Sequence, residues 1–144
     1  MVKILFLCHG NICRSPMAEF ILKDMAAKAG VADRFEIASA AVSREEIGNP
    51  VYPPARRELA KHGIGCAGKT ARQVTAADYA YYDRLYYMDR SNGARLRRFF
   101  PEDDGKIRPL LSRDVDDPWY SGDFSQAYAD ILEGCRKIME EFGC

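Results

Sequence analysis

The sequence predicts a single α/β domain, a four-stranded parallel sheet with helices on both faces. Three observations lead there. Val2–Cys8, wholly apolar over Ile4–Cys8, has the hydrophobicity of a strand buried on both sides. Strand-like and helix-like segments then alternate along the chain, which implies parallel pairing through right-handed crossovers. The length of 144 residues suits one domain, and no linker, repeat or low-complexity tract divides it, so residues 1–144 are read as one unit.

Ser15-Pro16 opens the first helix, because proline is well tolerated in a first turn. Glu19 is placed to favour the positive end of its dipole. Ala18, Ile21, Leu22 and Met25 recur at helical spacing, and Gly30 stops the run. Phe35–Ala38 reads as a second strand. Residues 42–52 are a loop broken by Gly48-Asn49-Pro50. Pro54–His62 is helical, with Leu59 and Ala60 inward and Gly63 as cap. Thr75 and Asp78 have the spacing of a capping box for a short helix. Arg84–Met88 is a third strand, Ser91–Phe100 a helix and Ile107–Leu111 a short fourth strand. Asp123–Phe142 closes the chain as a helix with Phe124, Tyr128, Ile131, Cys135, Ile138 and Phe142 along one stripe.

Twenty-one basic and 21 acidic residues leave no net charge, which argues against binding nucleic acid or membrane surfaces through bulk charge. Ile4–Cys8 falls far short of the roughly 20 apolar residues that cross a bilayer. It is also shorter than the core of a signal peptide, and polar His9-Gly10-Asn11 follows at once. A cytoplasmic protein is expected. The five cysteines, Cys8, Cys13, Cys66, Cys135 and Cys144, are odd in number and irregularly spaced, without a CxxC pair. Neither a disulfide framework nor a metal site is indicated, and no cofactor is expected. A cysteine near a basic residue then reads as chemistry.

Cys8-His9-Gly10-Asn11-Ile12-Cys13-Arg14-Ser15 carries that chemistry. It follows the first strand, at the sheet end where ligands of such folds sit. Cys8 closes a buried strand, which fixes its sulfur. Gly10 and Asn11 accept positive φ readily, so the backbone can curl and turn its N–H groups inward. The loop runs into a helix N-terminus, which favours an anion. Arg14 adds a planar fork of donors that matches two phosphate oxygens. The product is a cradle for a tetrahedral oxyanion with a sulfur at its floor. Helix end and guanidinium both favour the thiolate form. Ser15 can give the sulfur one more hydrogen bond.

This loop and Pro16 resemble the signature of the low-molecular-weight protein-tyrosine phosphatases. The resemblance extends over nearly the whole chain, through Ser39-Ala40, Ile47-Gly48-Asn49-Pro50, Ala71-Arg72-Gln73-Val74, Met88-Asp89-x-Ser91-Asn92 and Asp117-Pro118-Trp119-Tyr120. It implies that Cys8 is the nucleophile, Arg14 the clamp on the phosphoryl oxygens, and Asn11 and Ser15 the supports of loop and thiolate. Asp117 would be the general acid. A departing phenolate gains from protonation, and a positioned acid typically contributes about 10²–10⁴-fold. From the residues alone, the adjacent Asp116 competes for that role. The implied substrate is a phosphotyrosine-containing protein, without nucleic acid or membrane, acted on by a monomer or weak homo-oligomer.

The resemblance also bears on specificity and regulation. Trp119 and Tyr120 correspond to the aromatic wall beside the substrate ring. Ile12 stands where relatives acting on phosphoarginine tend to carry threonine, which favours an aromatic ester over a protein-arginine phosphatase. Glu45 stands where an aromatic residue usually forms the opposite wall, which makes that wall acidic. Lys69 lies near the place of a family histidine. Cys13 corresponds to the partner in a reversible disulfide that silences the enzyme, a trap for oxidised Cys8.

Three other readings compete, one of them a catalytically silent phosphotyrosine-binding module, against which the intact set of Cys8, Arg14 and Asp117 argues. Gly63–Thr70 matches the phosphate-loop pattern GxxxxGK[ST], but a charged helical segment precedes it where a buried strand is required. A thiol-dependent arsenate reductase shares this loop and fold. It needs resolving cysteines close together in a mobile segment, and Cys66 has no near neighbour in the sequence.

Overall fold

The computed structural model describes residues 1–144. Its strands are β1 (Val2–Cys8), β2 (Phe35–Ala41), β3 (Arg84–Tyr87) and β4 (Ile107–Pro109). They form one parallel sheet in the order β2-β1-β3-β4. The helices are α1 (Arg14–Lys28), α2 (Pro53–Lys61), α3 (Ala76–Tyr81), α4 (Arg90–Phe99), α5 (Pro118–Ser121) and α6 (Phe124–Glu141).

The lack of alternation in β1 has a direct cause. Ile4, Phe6 and Cys8 face a core built with Met17, Ile21 and Leu22 of α1 and Ile131, Cys135 and Ile138 of α6. Leu5 and Leu7 face the other side, against Leu85, Tyr87 and Leu96. Both faces are covered, so both sets of side chains must be apolar. The chain turns to one side of β1 for β2 and to the other for β3. The carboxyl end of β1 therefore lies at the switch point where such sheets open a crevice.

The boundaries differ in instructive places. β2 continues to Ala41, whose N–H bonds Arg72 O and whose carbonyl accepts from Val74, so a passing segment extends the pairing. α4 begins at Arg90 because Asp89 and Asn92 form a reciprocal capping box. The capping box of Thr75 and Asp78 forms as expected. β4 is shorter than expected, ending at Pro109 on the sheet edge, where a missing N–H is tolerated. The short α5 has no periodic pattern in the sequence to mark it. Asp117 caps it, Pro118 opens it and left-handed Gly122 ends it, the usual asymmetry of helix ends.

Glu19 is a correction. It sits beyond the first turn of α1 and is buried, bonded to Ser39 and Lys23 rather than complementing the dipole. Lys69 does not sit in a nucleotide-binding loop. Its segment enters no helix, and its ammonium bonds Ser39 O at 2.7 Å. No helix is long and apolar enough to cross a membrane.

Candidate active site

A cleft of about 550 Å³ opens over the carboxyl end of β1. Cys8, His9, Gly10, Ile12, Cys13 and Arg14 form its floor. Glu45, Glu46, Asp117, Trp119 and Tyr120 also line it. Asn11 and Ser15 of the loop do not line it, and neither do Asp116 and Lys69. Asn11 and Ser15 are buried behind the loop as its supports.

The curl of the loop rests on Asn11, whose φ is +61°. Gly10 has no positive φ, contrary to expectation. Its small size matters instead, since a Cβ there would lie 3.2 Å from Glu46 Cγ. The left-handed Asn11 is held at its backbone N–H and at both polar atoms of its side chain. Its backbone N–H donates to Cys8 Sγ at 3.3 Å. Its Nδ2 donates to Ser15 Oγ at 2.8 Å and Ser39 Oγ at 3.0 Å, and its Oδ1 accepts from Arg72 N at 3.3 Å. Ser15 Oγ lies 3.0 Å from Cys8 Sγ. The sulfur thus meets one amide and one hydroxyl. At the N-terminus of α1 no side chain caps the backbone and no acidic residue occupies the first turn. The backbone N–H groups of Arg14 and Ser15 remain for an anion, since Pro16 has none and Met17 N bonds Cys13 O.

Arg14 is buried, and three acceptors fix its guanidinium. Nη1 donates to Val115 O at 3.1 Å, and Nη2 donates to Asp89 Oδ2 at 2.9 Å and Asp117 Oδ2 at 3.4 Å. Burial opposes its charge, but Cys8, Asp117 and Asp89 outweigh it and hold its pKa above the ordinary value. Cys13 behaves differently. Burial, reinforced by the charges of Cys8 and Asp117, pushes its thiol up to about 12.

The two candidate acids separate clearly. Asp117 Oδ1 caps α5 through Trp119 N at 3.1 Å, while Oδ2 faces Arg14. Asp116 turns away and accepts from Ser121 Oγ at 2.7 Å. Buried Asp130 of α6 anchors the loop by accepting from Asp116 N at 3.0 Å.

A family model described as low molecular weight phosphotyrosine protein phosphatase matches residues 3–143. The chain belongs to the low molecular weight phosphotyrosine protein phosphatase family. It is 37% identical over 147 residues to the low molecular weight protein-tyrosine-phosphatase YfkJ of Bacillus subtilis, covering 96% of this chain and 94% of that one. The YfkJ crystal structure superposes with a TM-score of 0.94 at 35% identity, covering 100% of this chain and 98% of the other. The crystal structure of a drosophila arginine phosphatase gives 0.89 at 29% identity, covering 99% of both chains.

Within this family frame, the walls of the cleft are unequal. Trp119 is half exposed and its ring centroid lies 5.0 Å from that of Tyr52, which in turn packs on Phe124. Tyr120 extends into solvent, 86% exposed. Glu45 Oε2 pairs with His9 Nε2 at 2.8 Å, and Glu46 accepts from Asn49 Nδ2.

Sequence reasoning gave no role to Asp89, Ser39 or Tyr52. Asp89 and Ser39 lie inside motifs that carried the resemblance. Nothing local marks their partners, because Arg14 and Asn11 are 75 and 28 residues away in the chain.

Proposed function

We propose that this chain hydrolyses phosphotyrosine in proteins, and aryl phosphates generally, through a cysteinyl-phosphate on Cys8. The observation that carries the reading is the convergence of Cys8, Arg14 and Asp117 on one cleft, with the Arg14 guanidinium in contact with Asp117. In the first step the Cys8 thiolate attacks phosphorus. The sulfur–phosphorus bond forms, the bond to the phenolic oxygen breaks, and Asp117 gives that oxygen a proton. In the second step water attacks phosphorus, the bond to sulfur breaks, and Asp117 takes the proton. Arg14 and the first-turn N–H groups of α1 neutralise the equatorial oxygens in both steps.

His9, Gly10, Asn11, Ile12, Cys13 and Ser15 form the phosphate loop in this reading. Trp119 supports one face of the substrate ring, while Glu45 makes the opposite wall polar. Oxidised Cys8 would be trapped by Cys13 as a disulfide, with the released water taking the sulfenic oxygen. The protein acts in the cytoplasm, as a monomer or weak homo-oligomer.

A phosphoarginine substrate is the second reading, favoured by the likeness to the drosophila arginine phosphatase. The branched, apolar Ile12 at the cleft floor supports the aromatic ester instead. Arsenate reduction finds less support. Cys66 is buried, and Cys135 is sealed inside the core beside α1.

The test is hydrolysis of p-nitrophenyl phosphate in EDTA, with wild type, Cys8→Ser and Asp117→Ala side by side. Turnover lost in Cys8→Ser and strongly reduced in Asp117→Ala is expected. An inactive but folded wild type would overturn the reading, and faster release of phosphate from phosphoarginine than from phosphotyrosine peptides would replace it with the second.

A further inference from the structure

The segment that leads into Asp117 is fastened to the last helix through one buried carboxylate, that of Asp130 on α6. Its Oδ2 accepts from the backbone N–H of Asp116 at 3.0 Å. Its Oδ1 accepts from Arg113 Nη2 at 3.0 Å and from Gln126 Nε2 at 2.9 Å. Arg113 also reaches Glu133, three residues further along α6, through Nη1 at 3.3 Å and Nη2 at 3.4 Å. The segment is thus bonded to Asp130 at two points, Arg113 and Asp116.

Burial and charge account for the arrangement. A buried carboxylate needs a countercharge and donors for both oxygens. Arg113 supplies the charge and, with Gln126, occupies Oδ1. That leaves Oδ2 for the Asp116 amide.

The peptide between Val115 and Asp116 is held at both ends. Its carbonyl accepts from Arg14 Nη1 at 3.1 Å, and its N–H donates to Asp130. The two groups of a trans peptide point in opposite directions. One contact alone leaves the plane free to turn about it. Contacts at both ends fix its orientation, and with it the direction in which the chain enters Asp117.

The other restraints on Asp117 do not replace this one. Its contact with Arg14 competes with a phosphoryl group for the same guanidinium. The bonds from Tyr120 N and Ser121 N to Asp117 O, and from Ser121 Oγ to Asp116 Oδ2, hold α5 together and stay within the loop. Buried Pro118 and the Trp119 ring against Tyr52 seat only the residues that follow the acid.

We propose that Asp130, paired with Arg113, is a positioning residue for proton transfer: it fixes the N–H end of the Val115–Asp116 peptide while Arg14 fixes the carbonyl end, and so keeps the Asp117 carboxyl aimed at the leaving oxygen. The proposal rests on Asp117 as the acid of the reading above.

The test measures kcat/KM for aryl phosphates of rising leaving-group pKa in wild type, Asp130→Ala, Asp117→Ala and the double variant. This constant covers the steps up to release of the phenol, where the proton is needed. Asp130→Ala should lose about tenfold for the poorest leaving group, the scale of one hydrogen bond to a charged group, and little for the best. In the Asp117→Ala background it should change nothing further. Inhibition by inorganic phosphate should stay near wild type. A merely structural role would lower all substrates alike, in both backgrounds.

An equal loss across the series, or the same loss with and without Asp117, would overturn the proposal. Should Asp130→Ala not fold, Asp130→Asn decides by the same criteria, since an amide has one acceptor oxygen in place of two and turns a donor toward the groups that Asp130 accepts from. Asp117→Ala without a steeper dependence on the leaving group would sink the acid assigned above. A steeper dependence in Asp117→Ala and none in Asp130→Ala would sink this proposal alone.

Discussion

Asp117 Oδ2 lies 3.4 Å from Arg14 Nη2, so the candidate acid and the candidate clamp touch across the open cleft. The same guanidinium holds Asp89 more closely, at 2.9 Å. A phosphoryl group needs the fork of Arg14, and the longer contact is the one it can replace. Asp117 is then freed toward the leaving oxygen. Asp117→Asn should lower kcat by about 10²–10⁴-fold, more for poorer leaving groups, while inorganic phosphate inhibits as well as or better than in wild type. Asp116→Asn should change kcat little, since Asp116 points to Ser121. A leaving-group series on both variants checks this.

Asp89 has two duties on two oxygens. Oδ1 accepts from Asn92 N at 2.9 Å and caps α4, while Oδ2 holds Arg14. Asp89→Ala should lose about 1 kcal/mol of stability through the cap. It should also weaken phosphate inhibition about tenfold or more, through the freed guanidinium. Asp89→Asn restores much of the cap but not the ion pair. Melting curves and phosphate inhibition separate the two effects.

Cys13 keeps its proton at neutral pH, because burial and the charges of Cys8 and Asp117 push its thiol up to about 12. Iodoacetamide should therefore modify Cys8 well before Cys13 in the folded protein, read by peptide mass. Cys13→Ser should keep its turnover. After peroxide it should recover less fully with dithiothreitol than wild type does, and equal recovery would remove Cys13 from the redox scheme.

Glu58 is buried at the junction of α2 and α6. Burial alone would raise its carboxyl pKa, but hydrogen bonds from His62, Ser125 and Lys61 outweigh that and lower it. A lowered folded value means that the unfolded chain takes up the proton first as pH falls. The stabilisation is full above the ordinary carboxylate range of about 4.3 and is lost on descent through the folded value. Glu58→Gln should thus lower the melting temperature at neutral pH, and the gap to wild type should narrow in acid below that range. Thermal melts of both proteins across pH provide the check.

The legible part of this protein is its periodicity and its one dense motif. The unbroken apolar run of β1 required cover on both faces, and hence the helices on both sides. Cys8, Arg14 and Ser15 stand within eight residues of each other, so a turn and a helix start suffice to bring them together. Gly10 and Asn11 both tolerate positive φ, and the tertiary structure gives the left-handed turn to Asn11 while Gly10 makes room for Glu46. Glu19 looks like a dipole charge along the chain because its partners Ser39 and Lys69 lie on other segments.

What the sequence by itself determined was the class of fold, the anion-binding loop and the residues that could do chemistry, since each depends on neighbours within a turn or two of chain. The tertiary structure decided the rest. The order β2-β1-β3-β4 put the loop at the switch point, and pairings across 75 to 103 residues gave Arg14 its acidic partners, bringing Asp117 and not Asp116 against it. Such contacts arise from the packing of whole elements, and no local pattern of residue types encodes them.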